Sequence, residues 1–145
     1  MLIEVVGAVI RDAEGRLLTV RKRGTQHFML PGGKREPGED DLAALARELS
    51  EELGVRLAAA EPIGVFEADA ANEPGARVRS HPYEVSVEGD IAAAAELEEI
   101  AWVDPARPHV RLAPLLEEHI LPTLLLIPPF MVTLEGIHRP PEPSE

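Results

Sequence analysis

Three glutamates crowd the middle of a stretch with helical spacing. Glu48 is three residues from Glu51 and four from Glu52, so on one helix its side chain is a neighbour of both. Like charges at this spacing destabilise a helix by roughly 0.2–0.5 kcal/mol per pair. Clustered carboxylate oxygens are, however, the ligands that hard divalent ions such as Mg²⁺ and Mn²⁺ prefer. The pattern indicates a metal site; the competing interpretation is an ordinary solvated acidic face.

The residues beside the glutamates favour the metal interpretation. Leucines recur on the other face at positions 42, 45, 49 and 53. With Leu49 pointing inward, Glu52 and Glu48 lie on one flank, off the leucine face, at roughly 60° and 100° from it. Arg47 can hydrogen-bond a carboxylate and fix its rotamer, as partners of metal ligands do. No cysteine occurs and the histidines lack ligand spacing, which argues against zinc.

The fixed positions around this cluster resemble the signature of the Nudix hydrolases. Gly33 is followed after five residues by Glu39, and after seven more by the run Arg47–Leu49. The lead-in Leu30–Gly33 reads LPGG, as is usual in the family. The remaining fixed positions of the match are Glu51, Glu52, Gly54 and Val55. A glycine motif alone would be weak evidence for a family, whereas a match at all of these positions is specific.

The resemblance implies an activity and a set of site residues. Nudix enzymes hydrolyse a pyrophosphate bond in a nucleoside diphosphate linked to another group, using a divalent metal, here Mg²⁺ with Mn²⁺ as a possible substitute. The resemblance makes Arg47 the orienting arginine and Glu39 its supporting carboxylate. It also places a metal-binding or base carboxylate near Trp102, for which Glu98 is our choice over Glu96 and Glu99. The implied metal ligands and catalytic carboxylates in the motif are Glu48, Glu51 and Glu52, with the carbonyl of Gly32 as a further ligand.

The resemblance also implies the fold, an α/β/α sandwich with a mixed sheet on which the motif lies as a loop–helix–loop. The residue patterns predict the elements in outline. A helix runs from Asp40 to Leu53 and ends at Gly54, and a second occupies 112–126 with Pro122 kinking or ending it. The predicted strands cover 3–11 and 16–23, paired as a hairpin, followed by 55–60, 62–68, 83–88 and 100–103, with a polar loop over 70–79.

Three residues outside the motif are candidate substrate contacts. Arg21 and Arg23, with Lys22 between them, end the second strand and can bind phosphates, although solubilising surface charge is an equal alternative. The Phe28 ring can stack on a base. For Trp102 we favour packing, because it lies in the middle of a strand.

Composition excludes several classes of protein. The chain has 145 residues and a formal net charge of −12, which argues against a nucleic-acid partner. No apolar run is long enough to span a membrane, and the lack of cysteine and of a leader favours the cytoplasm. We expect one domain over 1–137 and a disordered proline-rich tail over 138–145. The apolar segment Leu121–Leu134 predicts either a homodimer interface or packing onto the chain's own sheet.

The motif defines a reaction and leaves the substrate open. A nucleoside triphosphate, including a damaged or non-canonical one, is the leading hypothesis. ADP-ribose and nucleotide sugars are the alternatives, although the proline expected for ADP-ribose enzymes near Ala71 is missing. A non-catalytic nucleotide-binding module is the third possibility, and the intact set of glutamates argues against it.

Overall fold

The computed structural model describes residues 1–70 and 73–126. The predicted tail, 138–145, and most of the apolar segment 121–134 lie outside these residues. Within the described residues, no helix is long and apolar enough to cross a membrane. The elements in chain order are β1 (Leu2–Val9), β2 (Leu17–Lys22), β3 (Gly32–Lys34), α1 (Asp41–Leu53), β4 (Arg56–Pro62), β5 (Phe66–Asp69), β6 (Arg77–Glu88), β7 (Leu97–Val103), a π-helical turn (Leu116–Ile120) and α2 (Leu121–Leu126).

Local sequence signals fix α1 at both ends. The Asp40 side chain caps the helix by accepting a hydrogen bond from the Ala43 N–H at 2.8 Å. Gly54 adopts the left-handed conformation (φ 70°) that ends it. Leu45, Leu49 and Leu53 are buried as predicted, whereas Leu42, in the first turn, is exposed.

Five strands form a mixed sheet. Its order is β3-β1-β6-β4, and β5 pairs with the first part of β6. The central pair, β1 and β6, is parallel, and the other pairs are antiparallel. A separate two-stranded antiparallel sheet joins β2 to β7.

The predicted hairpin of the first two strands is wrong beyond its turn. The Leu18 N–H donates to the Ile10 carbonyl at 2.9 Å, and the Asp12 N–H donates to the Arg16 carbonyl at 3.0 Å. Beyond these hydrogen bonds at the turn the two strands separate, because β3 and β6 occupy both edges of β1. β2 therefore pairs with β7 instead.

The sheet separates two apolar cores. Val6 and Ala8 of β1 pack on the α1 side with Leu45 and Leu49. Val9 points the other way and packs with Leu116 and other residues of the C-terminal helical segment. Helices thus cover both faces of a mixed sheet, which confirms the predicted α/β/α sandwich.

Two predicted boundaries shift. β6 begins at Arg77, inside the predicted loop, because it gains β1 and β5 as partners there. Leu112 forms a bridge with Phe28 and is not helical. Pro122 does not end the second helix, which continues to Leu126; the π-helical turn Leu116–Ile120 interrupts the regular α-helical hydrogen bonds directly before the proline.

Candidate active site

The N-terminal glycine of β3 holds the most buried glutamate. Glu52 is 1 % exposed, although its helical position predicted a flank off the leucine face. The Gly32 N–H donates to its Oε1 at 3.1 Å, so β3 lies close over this face of α1. The other oxygen, Oε2, is buried and has no hydrogen-bond partner among the described residues. A buried carboxylate oxygen without a partner is costly, so this atom is suited to a ligand.

Glu48 lies one turn before Glu52, and its carboxylate packs directly on Gly33. A Cβ at position 33 would collide with the carboxylate of Glu48 in its present position, so the carboxylate can lie there because residue 33 is glycine. Burial raises the pKa of Glu52 to about 8, and the nearby Glu48 charge adds to the shift. The Gly32 N–H and the Lys22 ammonium act in the opposite direction.

Arg47 binds Glu39 through two hydrogen bonds. Its Nε and Nη2 donate to the two carboxylate oxygens of Glu39 at 2.7 and 3.0 Å. Its Nη1 donates to Glu48 Oε2 at 3.2 Å, and its Nη2 also donates to the Lys34 carbonyl at 3.0 Å. The Arg47 hydrogen bonds hold the pKa of Glu39 below its usual value. Arg47 therefore connects the loop before α1 to the Glu48 carboxylate.

Glu51 lies apart from the other two glutamates. Its side chain is 55 % exposed, and its contact is with Arg47 at 3.4 Å. Among residues 1–70 and 73–126, no three acidic or histidine side chains already converge as a metal cage. The structure therefore brings Glu48 and Glu52 together and leaves the Glu51 side chain exposed, in contact with Arg47.

The donors present fit a divalent cation. Glu52 offers a buried oxygen without a partner, and the adjacent Glu48 carboxylate fills the space that Gly33 leaves. Burial raises the pKa of Glu52, and repulsion by the neighbouring Glu48 carboxylate raises it further. A hard cation relieves both effects.

Each basic residue at the end of β2 has an acidic partner on or just before β7. Arg21 pairs with Glu99 at 2.9 Å. The other two pairs, Lys22 with Glu96 and Arg23 with Glu98, are each separated by 3.9 Å. The half-exposed Glu98 is therefore held by Arg23, and the structure does not bring it into the Glu48–Glu52 pair.

Phe28 has no open face for a base. Its ring is 6 % exposed, packed in the core that contains Leu17 and Leu116. The Arg21 guanidinium lies 5.9 Å from the ring centroid. This placement favours packing for Phe28, as it does for Trp102, which packs against the other core.

A cavity of about 370 Å³ lies on the face of the sheet opposite α1 and reaches Gly32 and Gly33, the two glycines that contact Glu52 and Glu48. Gly32 and Gly33 line one part of it, and Lys22 is the one cation that the described residues contribute to its lining. Its walls are mainly apolar side chains from β1, β6 and the C-terminal helical segment, among them Ile3, Val5, Val78, Leu115, Leu116 and Ile120. The size and the apolar lining with a few polar groups are typical of a small-molecule site.

Sequence reasoning did not single out this cavity or Lys22 within the basic run. The cavity joins residues from both ends of the described chain, and no local pattern marks such a juxtaposition. A signal for Lys22 was its alternation with Leu18 and Val20, which predicts a side chain on the inward face of β2.

Comparisons with known proteins agree with this geometry. Residues 1–124 match the family described as NUDIX domain. The chain is 35 % identical over 113 residues to a Mycobacterium tuberculosis protein provisionally named 8-oxo-dGTP diphosphatase 2, covering 74 % of this chain and 76 % of that one. It is 29 % identical over 108 residues to the CTP pyrophosphohydrolase of Escherichia coli, covering 72 % and 77 % of the two chains.

The fold comparison gives the same result. The solution structure of the E. coli ORF135 protein matches with a TM-score of 0.72 and 28 % identity, over 87 % of this chain and 90 % of that one. The chain belongs to the Nudix hydrolase family. It is an enzyme of the class that hydrolyses nucleotide pyrophosphate bonds, and this family generally uses divalent metal ions.

Proposed function

We propose that this enzyme hydrolyses nucleoside triphosphates, including damaged or non-canonical ones, with Mg²⁺ or Mn²⁺. The observation that carries the proposal is the buried, unpartnered Glu52 oxygen beside Glu48, next to a cavity sized for a small molecule. Glu48 and Glu52 would hold the metal, with Glu51 turning inward and the Gly32 carbonyl adding a further oxygen.

The bound cation would neutralise charge on the phosphate oxygens and lower the pKa of water. A carboxylate of this cluster takes the proton of the attacking water. Arg47 and Glu39 keep Glu48 in position, because their paired hydrogen bonds fix the guanidinium. Lys22 attracts the negative phosphates to the end of the cavity nearest Glu52.

Phosphate contacts from Arg21 and Arg23 are part of the proposal in a modified form. Both are paired with Glu99 and Glu98, so either must exchange a carboxylate for a phosphate. We give Lys22 the leading role among the three, because it lines the cavity. Base stacking on Phe28 is not retained, since the ring is enclosed.

A nucleoside triphosphate is favoured over ADP-ribose and nucleotide sugars. The cavity is at the small end of the range for ligand sites, which suits one nucleoside better than a substrate with two large ends. The names of the two relatives, an 8-oxo-dGTP diphosphatase and a CTP pyrophosphohydrolase, also support a triphosphate. We further propose a cytoplasmic enzyme with no nucleic-acid or membrane partner, consistent with the net charge of −12.

A substrate screen tests the proposal. Purified protein is incubated with CTP, dGTP, 8-oxo-dGTP, ADP-ribose and a UDP-sugar, with Mg²⁺ or with chelator, and the products are separated by chromatography. We expect a nucleoside monophosphate and pyrophosphate from a triphosphate, only with metal. Glu52→Gln should lose activity, whereas Glu118→Gln, a change at an exposed helical carboxylate, should keep it.

Two outcomes would contradict the proposal. If ADP-ribose or the UDP-sugar were cleaved in preference to the triphosphates, the proposed substrate class would be wrong. Absence of cleavage for every compound, with nucleotide binding retained, would make the protein a binding module.

A further inference from the structure

The walls of the cavity are aliphatic on two sides. On the sheet side, Ile3 and Val5 project from β1 to the cavity face, and Val78, the partner of Ile3, continues this wall on β6. The second side comes from the C-terminal helical segment, which contributes Leu116 and Ile120. A molecule between the sheet and this segment therefore meets methyl and methylene groups on both sides.

No aromatic ring lines the cavity within residues 1–70 and 73–126. Phe28 and Phe66 pack in the core that includes the C-terminal helical segment, and neither belongs to the lining. Tyr83 and Trp102 pack with the core on the α1 side of the sheet. Nucleobases gain much of their binding energy by stacking on aromatic rings, and these walls provide none.

Few polar side chains of the described lining are available to the edges of a base. The Thr25 hydroxyl already donates to a backbone carbonyl at 2.8 Å. Asp69 projects from the other face of the sheet, where its side chain is 84 % exposed and ion-paired. Glu73 is exposed to solvent, and Ser80 is 3 % exposed and so presents little of its surface. Buried polar edges need partners, whereas a hydrocarbon chain needs none.

The groups proposed to bind phosphate lie at one end of this aliphatic cavity. Gly32 lines the cavity and donates its N–H to Glu52, and Lys22 also lines it. Gly32 pairs with Gly7 of β1, from which Ile3 lies about 13 Å further along the strand. A chain attached to phosphates near Glu52 thus extends between aliphatic walls for the length of a short hydrocarbon.

We propose that this enzyme also hydrolyses diphosphate esters of short aliphatic alcohols, the chemical class that includes the isoprenoid diphosphates, with the carbon chain in the cavity. The inference rests on the proposed function for the metal and carboxylate chemistry, and it adds a second class of substrate. Both classes present a phosphate anhydride to the glutamates and differ in what enters the cavity.

The reaction changes only the anhydride. The oxygen of water bonds to one phosphorus, the P–O anhydride bond breaks, and the leaving phosphate keeps the bonding electron pair. The proton of the water passes to a carboxylate of the cluster and then to solvent. The products are the monophosphate ester and inorganic phosphate, and the carbon–oxygen bond stays intact.

The test is a chain-length series of butyl, hexyl and octyl diphosphates in Mg²⁺, with the monophosphate ester and released phosphate both measured. We expect kcat/KM to rise about two- to fourfold per added methylene until the cavity is filled, because each methylene leaves water for an apolar wall. Glu52→Gln should remove this activity together with triphosphate cleavage, since both use the same glutamates.

One substitution in the wall has a matched control on the same strand. Val78→Thr places a hydroxyl in the aliphatic wall and should lower kcat/KM for octyl diphosphate by about fivefold, mainly through KM. Val87→Thr makes the same change at a half-buried valine of β6 that packs on the α1 side, outside the lining. The control should keep the wild-type series, and melting temperatures show that both variants are folded.

A binding measurement separates this inference from the proposed function. Calorimetry in Mg²⁺ with the methyl and octyl esters of methylenediphosphonate, which resist hydrolysis, reports the contribution of the chain without turnover. Octyl binding that is tighter by about tenfold or more, and weakened in Val78→Thr, would support the inference even if no triphosphate were hydrolysed.

Three results would overturn the inference. The first is a series without dependence on chain length, which is expected if another part of the chain fills the cavity. The second is a Val78→Thr variant with the wild-type series. The third is cleavage of triphosphates without cleavage of any alkyl diphosphate, which would leave the proposed function intact.

Discussion

The Gly32 N–H hydrogen-bonds one oxygen of Glu52 at 3.1 Å, while the other oxygen of the same buried carboxyl has no partner. This asymmetry means that the backbone of β3 positions Glu52 without fully compensating its charge. The pKa of about 8 is the measurable consequence in the absence of metal.

The stability of the metal-free protein should therefore fall as pH rises from about 5 to 8. Glu52 is protonated in the folded state up to about pH 8, whereas its ordinary pKa is 4.5, so the folded state binds the extra proton in this interval. The loss should be of the order of a few kcal/mol. Glu52→Gln should flatten this dependence and be more stable than wild type at pH 8. Denaturant unfolding in chelator at several pH values measures the free energy of unfolding, with Glu51→Gln, a change at an exposed side chain, as the control. A free energy of unfolding that rises from pH 5 to pH 8 in the wild type would contradict the raised pKa of Glu52.

Mg²⁺ should raise the melting temperature more at pH 8 than at pH 6. A ligand that binds only the folded state stabilises it, and at lower pH the metal must first displace the proton of Glu52. Thermal scans in chelator and in millimolar Mg²⁺ at both pH values provide the comparison. An equal shift in wild type and in Glu52→Gln would place the metal elsewhere.

Substitutions of the two adjacent glycines should have opposite consequences. In Gly33→Ala the new Cβ meets the end of the flexible Glu48 side chain, which can move. Stability should then change by less than about 1 kcal/mol, while kcat falls by about tenfold or more. In Gly32→Ala the Cβ meets the carbonyl oxygen of Val6 at a φ of +147°, so unfolding free energy should fall by about 3 kcal/mol or more. Chemical denaturation and activity assays separate the two; inactivity of Gly33→Ala through unfolding would refute this distinction.

Arg47→Lys should reduce activity more than stability. A lysine keeps the charge but cannot make the paired hydrogen bonds to Glu39 while also reaching Glu48. We expect a loss of about 10–100-fold in kcat or in metal affinity. Arg56→Lys, which alters an exposed pair with Glu88, is the control. Wild-type kinetics in Arg47→Lys would show that Glu48 needs no such support.

The chain should form homodimers through the end of its last described helix. Leu125 and Leu126 are exposed there, and the apolar sequence continues beyond the described residues. The double change Leu125→Ser and Leu126→Ser should lower the mass measured by light scattering to that of a monomer, whereas Val65→Ser, at another exposed apolar residue, should not. A monomeric wild type at high micromolar concentration would disprove the dimer.

The parts of the fold that were predictable have local causes. The Asp40 cap, the leucine spacing and Gly54 all lie within α1 or next to it, so its limits could be predicted to within one residue. The partner of β2 could not be predicted, because it depends on which strands occupy the edges of β1.

The site divides in the same way. The motif predicted that Glu48, Glu51 and Glu52 are neighbours, since their spacing is local, and two of them, Glu48 and Glu52, lie together. Glu52 is enclosed because the backbone of Gly32 lies over it, whereas Glu51 has no such cover and is exposed. This difference depends on a contact between residues distant in the sequence. Helix geometry alone assigned both residues to the outer face of α1 or its flank.

The parallel pairing of β1 with β6 has a consequence for biosynthesis. Leu2 pairs with Arg77, so the first strand leaves the ribosome long before its central partner exists. At about 5–20 residues per second, the gap is roughly 4–15 s. During that interval β1 has β3 as its only possible neighbour in the large sheet, and its apolar side chains remain without their final cover. The nascent enzyme is therefore most vulnerable to aggregation before β6 emerges, and substitutions that weaken β1–β3 pairing should lower soluble yield more than they lower the stability of the finished protein.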